Sequence, residues 1–372
     1  MRGGAWRTKA ETRHEISITL FLTLRRASVV WISAGTTVGI MQTTPDPELR
    51  WHTHLAPWNN DPVPFFHDGT YHLYLQHNPA APSFGVMRWG HVSSPNLVDW
   101  TVHPEAISPG EIFDIAIWTG CVVAHDGRFY AFYTGIRGYN PLDQCQCMAV
   151  SDDLIHWEKS PLNPVVLRVP EGYGECFRDP CVFRFGDEWR MVIGSQFGEL
   201  PVLLQYASAD LFEWTYVGEA WRAPDGRFGF DAECPDLFPL EDKWVLLTSR
   251  FANHWQVGSF DGSRFVGETS GVCDGALVAG EGGFSAFYAG KTLLDGQGRR
   301  LLFGWATQVQ GPDWKGAIAT PRVVRLFEGG LRFEIPAELE DRFVLQPDGS
   351  RIATDGPLTE IIDANGHWWT SP

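Results

Sequence analysis

Ser94-Pro-Asn-Leu-Val-Asp-Trp100, Ser151-Asp-Asp-Leu-Ile-His-Trp157 and Ser208-Ala-Asp-Leu-Phe-Glu-Trp214 share one outline, and their starts at 94, 151 and 208 are 57 residues apart. A weaker copy, Ser259-Phe-Asp-Gly-Ser-Arg-Phe265, follows 51 residues after the third. Self-similarity at a fixed period of this size means a stack or ring of equivalent units. Each unit also carries a hairpin signal: apolar residues run up to an acidic or glycine-containing turn and alternate away from it. The five such stretches are residues 63–75, 122–132, 182–192, 237–247 and 292–302. A unit of roughly 55 residues fits one four-stranded antiparallel sheet with its turns, and five sheets around an axis make a five-bladed β-propeller. A β-sandwich or irregular barrel leaves the regular spacing unexplained. The reading is therefore all-β: a five-bladed β-propeller with short N- and C-terminal extensions.

The expected organisation is a leader over 1–46, the propeller over 47–330 and a short tail over 331–372, in which Leu331–Pro336 reads as one strand. Residues 1–26 hold six basic residues against Glu11 and Glu15. The apolar runs at 16–24 and 27–40 are too short to span a membrane. No A-x-A-like cleavage site follows, so Met41 is read as the true start and 1–40 as a disordered or mis-annotated leader. The net charge of −16 disfavours nucleic acid, whose phosphates would be repelled, and no membrane partner is expected. The seven cysteines lack paired C-x₂-C zinc spacing and read as free thiols of a reducing compartment. A cytoplasmic location follows, with secretion as the alternative if residues 1–40 are a signal. No metal or cofactor is expected. The oligomeric state is left open.

Three carboxylates are read as standing in one phase of the repeat. Asp61 lies eight residues before the turn residue Gly69, Asp179 eight before Asp187, and Glu233 nine before Asp242. Each precedes the first apolar strand of a unit, and in a propeller those strands line the central channel. Asp61 and Asp179 are each followed by proline, which biases its predecessor to extended geometry. Taken singly, each triplet is only turn punctuation. The register is the signal, because clustered like charges cost energy and packing does not require them.

The blocks Trp58-Asn-Asn-Asp-Pro62, Phe177-Arg-Asp-Pro180 and Glu233-Cys-Pro-Asp236 resemble the signature blocks of glycoside hydrolase family 32, the invertase, inulinase and levanase family. Gln76-His-Asn-Pro79, Trp89-Gly-His91, Trp118-Thr-Gly120, Phe287-Tyr-Ala-Gly-Lys-Thr-Leu293 and Arg299-Arg-Leu-Leu-Phe-Gly-Trp305 match as well. The resemblance covers about residues 50–325 and implies a retaining hydrolase of terminal β-fructofuranosyl bonds in sucrose or a fructan, acting on a small-molecule or oligosaccharide substrate. It implies Asp61 as nucleophile, Asp179 as transition-state stabiliser and Glu233 as general acid/base, protonated through burial beside two other acids. Asn60, Gln76, Thr119 and Arg178 are expected to bind hydroxyls or orient the acids, with Arg178 holding Asp179 ionised. Phe84, Trp118, Tyr288 and Trp305 are expected to wall the pocket. Val63-Pro64 replaces the usual Asn-Gly, Phe84 stands where a Trp is common, and the C-terminal β-sandwich of most members is expected to be missing. Fructosyl transfer on the same fold and a non-catalytic carbohydrate-binding propeller are the alternatives.

Overall fold

In the computed structural model, residues 48–138, 140–275 and 284–372 are described; the expected leader lies outside them. The first blade is β1 (Trp58–His67), β2 (Thr70–Asn78), β3 (Arg88–Ser94) and β4 (Thr101–Val102). The second is β5 (Ala116–His125), β6 (Arg128–Ile136), β7 (Gln144–Ser151) and β8 (Glu158–Lys159). The third is β9 (Phe177–Phe185), β10 (Glu188–Phe197), β11 (Leu200–Ser208) and β12 (Thr215–Arg222), and the fourth β13 (Glu233–Leu240), β14 (Lys243–Arg250), β15 (Ala252–Phe260) and β16 (Phe265–Val272). The fifth comprises β17 (Phe287–Leu294), β18 (Arg300–Gln310), β20 (Arg322–Phe327) and β21 (Gly330–Glu334). A short strand, β19 (Lys315–Ile318), leaves β18 antiparallel and meets β1 in parallel at Trp58↔Lys315. That strand fuses the first and last blades into one nine-stranded sheet and closes the ring with backbone hydrogen bonds.

All five expected hairpins are present as the pairs β1–β2, β5–β6, β9–β10, β13–β14 and β17–β18. Asp68-Gly69 and Asp126-Gly127 both have positive φ, at 45° and 77° and at 49° and 76°, as a twist-matched two-residue turn requires. The Ser-x-Asp/Asn-Leu-x-x-Trp segments are the turns that leave the third strand of blades one to three. In each, the serine hydroxyl and the Asp or Asn side chain accept backbone N–H groups that the ladder no longer satisfies, as in Leu154 N to Ser151 Oγ at 2.9 Å and His156 N to Asp153 Oδ1 at 2.8 Å. The central leucine is forced to positive φ at Leu97 (64°), Leu154 (66°) and Leu211 (73°), and its side chain is buried. The repeat seen in the sequence is thus a local turn chemistry copied from blade to blade.

The fifth blade runs to Glu334 rather than ending near 330. The expected tail also holds a four-stranded antiparallel sheet, β22 (Val344–Leu345), β23 (Arg351–Asp355), β24 (Leu358–Ile362) and β25 (Trp368–Ser371). Its apolar residues Ala353, Leu358, Ile362 and Trp368 join one core with Val323 and Phe333 of the fifth blade and Trp51 of the N-terminal approach. Polar contacts fasten it further. Asp355 accepts the backbone N–H groups of Arg50, Trp51 and His52, and the His52 ring lies 2.9 Å from Asp355 and 3.1 Å from Glu360. Fully buried Arg322 donates to Asp274 at 2.7 Å and to Thr370 at 2.9 Å, with its guanidinium over the Phe287 and Trp368 rings.

Burial opposes the charge on His52, but Asp355 and Glu360 outweigh it and raise its pKa above the usual 6.5, while burial of Asp355 is outweighed by His52, leaving that carboxyl at about 2. The raised histidine contributes stability below pH 6.5 and loses it as pH rises through its folded pKa; the depressed Asp355 contributes above pH 4 and loses it as pH falls toward 2. His52→Ala should therefore cost about 3 kcal/mol in urea unfolding near pH 6. The deficit should shrink steadily toward pH 9, and a deficit independent of pH would contradict the ion-pair account.

Candidate active site

The five inner strands β1, β5, β9, β13 and β17 share one irregularity. Each loses register with its hairpin partner at the same point: between Asn59 and Pro62, between Ile117 and Gly120, at Arg178–Cys181, between Glu233 and Asp236, and between Tyr288 and Lys291. Such a bulge adds an unpaired residue and re-aims the side chains beside it. Asp179 (62°), Cys234 (46°) and Ala289 (53°) take positive φ there. Gly120 is needed at the second bulge, since a Cβ would lie 1.8 Å from the Phe132 carbonyl oxygen. The bulges turn the chemistry-bearing residues into one axial cavity of about 830 Å³, within the range of small-molecule clefts.

Asp61, Asp179 and Glu233 all line this cavity. Their phase differs by one residue: Asp179 corresponds to Cys234, whose N–H donates to Asp179 Oδ2 at 2.8 Å, whereas Glu233 corresponds to Arg178. Cys234 Sγ lies 3.3 Å from Asp61 Oδ2, so the residue that keeps strict phase bridges two of the acids. Asp61 is held by neutral donors. Asn60 Nδ2 donates to Oδ1 at 3.0 Å, and Gln76 Nε2 at 3.0 Å and Thr119 Oγ1 at 2.6 Å donate to Oδ2. Burial, then the neighbouring Asp179 charge, pushes the Asp61 carboxyl up to about 6, with Thr119 and Cys234 pulling the other way. Burial likewise raises Asp179, against the pull of Arg178 and the Cys234 N–H.

Glu233 sits in a different environment from that expected. Its Oε1 accepts from Arg178 and from Arg250, both at 2.7 Å, and its Oε2 accepts from the Tyr288 hydroxyl. Two guanidiniums and a phenol therefore surround a carboxyl that was expected to lie chiefly among other acids. Arg178 also turns away from its neighbour: its Nε is 3.9 Å from Asp179, while its terminal nitrogen pairs with Asp231 and Glu233.

Of the expected binding residues, Asn60, Gln76, Phe84, Trp118, Arg178, Tyr288 and Trp305 line the cavity. Thr119 is fully buried and reaches it through its bond to Asp61. Phe84 is 52 % exposed and meets Trp118 edge-on at 5.7 Å; Trp305 meets Trp58 in the same way at 5.7 Å. Sequence reasoning missed Asp231, Arg250, Phe230 and Phe284. Arg250 stands at the β14–β15 turn with its guanidinium 3.9 Å over the Phe230 ring, and no motif surrounds it. Asp231 lies two residues before Glu233, and only the excess of acids there marks it in the sequence.

Residues 53–334 match the description "Glycosyl hydrolases family 32 N-terminal domain". The chain belongs to glycosyl hydrolase family 32. A sucrose-6-phosphate hydrolase of Bacillus subtilis is 37 % identical over 280 residues, covering 69 % of this chain and 57 % of the relative. A fructan 6-exohydrolase of Beta vulgaris is 30 % identical over 352 residues, covering 82 % and 57 %. The chain thus spans little more than half the length of these two relatives. The β-fructofuranosidase of Bombyx mori superposes with a TM-score of 0.75 over 88 % of this chain and 89 % of its own, at 23 % identity, which establishes the shared fold.

Because the Asp61 pKa is raised from 3.8 to about 6, its ionisation weakens the fold above pH 6, and the loss is relieved as pH falls through that value. Asp61→Asn should accordingly raise the unfolding free energy in urea at pH 7, by at most about 3 kcal/mol. The gain should vanish below pH 4, and a loss of stability at pH 7 would show that the carboxylate is favourable where it stands.

Proposed function

We propose that this protein hydrolyses terminal β-fructofuranosyl linkages, as in sucrose or a fructan, with retention through a covalent fructosyl-enzyme intermediate. One observation carries the reading: three carboxyls of different blades meet in one cavity, and each is held in a way that suits a different task. Asp61, held only by neutral donors, is the nucleophile; it attacks the anomeric carbon in its ionised form. Glu233 protonates the leaving oxygen, and the guanidiniums of Arg178 and Arg250 stabilise the carboxylate it leaves behind. In the second half the same carboxylate takes a proton from the attacking water. Asp179, fixed by the Cys234 N–H, hydrogen-bonds sugar hydroxyls and strengthens those bonds as positive charge develops on the ring. Asn60, Gln76 and Thr119 aim Asp61, while Trp58, Trp118, Tyr288 and Trp305 form the walls against which a sugar packs.

The names of the relatives support a fructosyl substrate, and those from Bacillus subtilis, Zymomonas mobilis and Escherichia coli are sucrose-6-phosphate hydrolases. All seven cysteines are free thiols, which supports a reducing, cytoplasmic setting. Among the described residues no helix is long and apolar enough to cross a membrane.

Fructose release from sucrose, sucrose 6-phosphate, inulin and levan tests the reading directly. Asp61→Asn should abolish turnover in a folded protein. Glu233→Gln should lose at least about 100-fold on sucrose and recover much of it on an aryl fructoside, whose leaving group needs no proton. Transfer products in place of free fructose would identify a transferase, and binding without turnover a lectin-like propeller. With Asp61 titrating at about 6, kcat/KM should fall as pH drops through 6; a profile flat down to pH 4 would remove Asp61 from the nucleophile's role.

A further inference from the structure

Two residues after Asp61, Thr119, Asp179, Cys234 and Ala289, each of which lies within a bulge, the inner strands carry a second tier of side chains, one per blade: Val63, Cys121, Cys181, Asp236 and Lys291. They line a smaller cavity of about 270 Å³ farther along the channel. Lys291 is the tier's cation, and it is only 3 % exposed. Burying an ammonium is costly unless something uses it. Its Nζ donates to the Pro235 carbonyl oxygen at 2.7 Å. Pro235 follows Cys234, whose N–H holds Asp179 and whose thiol meets Asp61, and which itself follows Glu233. One hydrogen bond from Lys291 therefore fixes the turn on which all three carboxyls converge.

Charge points the same way. Around the channel stand Asp61 on β1, Cys121 on β5, Arg178, Asp179 and Cys181 on β9, Glu233, Cys234 and Asp236 on β13, Tyr288 on β17 and Arg300 on β18. The guanidiniums of Arg178 and Arg250 are taken up by Asp231 and Glu233. Asp236 is bound to the Thr292 N–H and hydroxyl, both at 2.7 Å. Burial disfavours the Lys291 charge, the Asp236 carboxylate favours it, and the ammonium in turn pulls Asp179 downward.

We propose that Lys291 is a positioning residue of the fructosyl reaction: it anchors the Cys234–Pro235 turn and sets a buried ammonium against the acid cluster. This rests on the role given to Asp61 above.

The test is the pH profile of kcat/KM for the full chain on an aryl β-fructofuranoside. Lys291→Met should lose about 10-fold or more at pH 7 and move the acid limb upward by about half to one unit. Lys291→Gln still donates to the Pro235 oxygen, so it should regain part of the rate and keep the shifted limb. Asp236→Asn retains the ammonium and removes a carboxylate that draws on it, so it should move the limb downward; a limb left in place in this variant overturns the proposal even if neither Lys291 variant folds. Limbs coincident with the wild type overturn the proposal. A wild type that releases no fructose overturns the assignment of Asp61 and this role with it, whereas an active wild type with unmoved limbs overturns only the role of Lys291.

Discussion

A closed ring of sheets leaves its inner strands one place to meet, and a bulge at the same step of all five inner strands aims what they carry at that place. Everything chemical in this molecule depends on that repeated irregularity. Without it, a strand's alternate residues point along the channel wall and into the blade interface. With it, residues 55 apart in sequence touch: Arg178 with Glu233, Asp179 with the Cys234 backbone, Glu233 with Tyr288. The bulges also explain why positive φ falls on ordinary residues such as Asp179 and Cys234. Such backbone is costly, and it persists because flanking strands hold it.

Gathering carboxyls in a dry cavity creates an electrostatic problem, and the surrounding residues divide it. Asp61 keeps neutral donors and a raised pKa. Glu233 receives two guanidiniums and a phenol. Asp179 takes one backbone N–H and the distant influence of Arg178. Three chemically similar side chains thus become three different groups through their partners alone. The second tier extends the same logic down the channel, where a buried ammonium lies below the acids.

Much of the architecture was legible because it is local. The Ser-x-Asp-Leu-x-x-Trp turns, the Asp-Gly hairpins and the alternation of apolar residues each encode a step that a few neighbouring residues decide. Their even spacing counted the blades. The C-terminal sheet was not legible, because its strands are short and its stability comes from the distant contacts of Asp355 and Glu360 with His52, and of Thr370 with Arg322. The one-residue phase difference of Glu233 was visible in the sequence, yet its meaning, that Cys234 holds the position equivalent to Asp179, appears only with the strands in place.

The sequence alone determined the number of blades, the hairpins and the placement of Asp61, Asp179 and Glu233 at the entrance of inner strands, since repeat period and turn chemistry are properties of short segments. Tertiary structure alone decided which charge stands beside which acid. Arg178 and Arg250 come to Glu233, and Lys291 comes to the Pro235 carbonyl, through ring closure and bulge geometry, and electrostatic energy depends on distance in space rather than on separation along the chain.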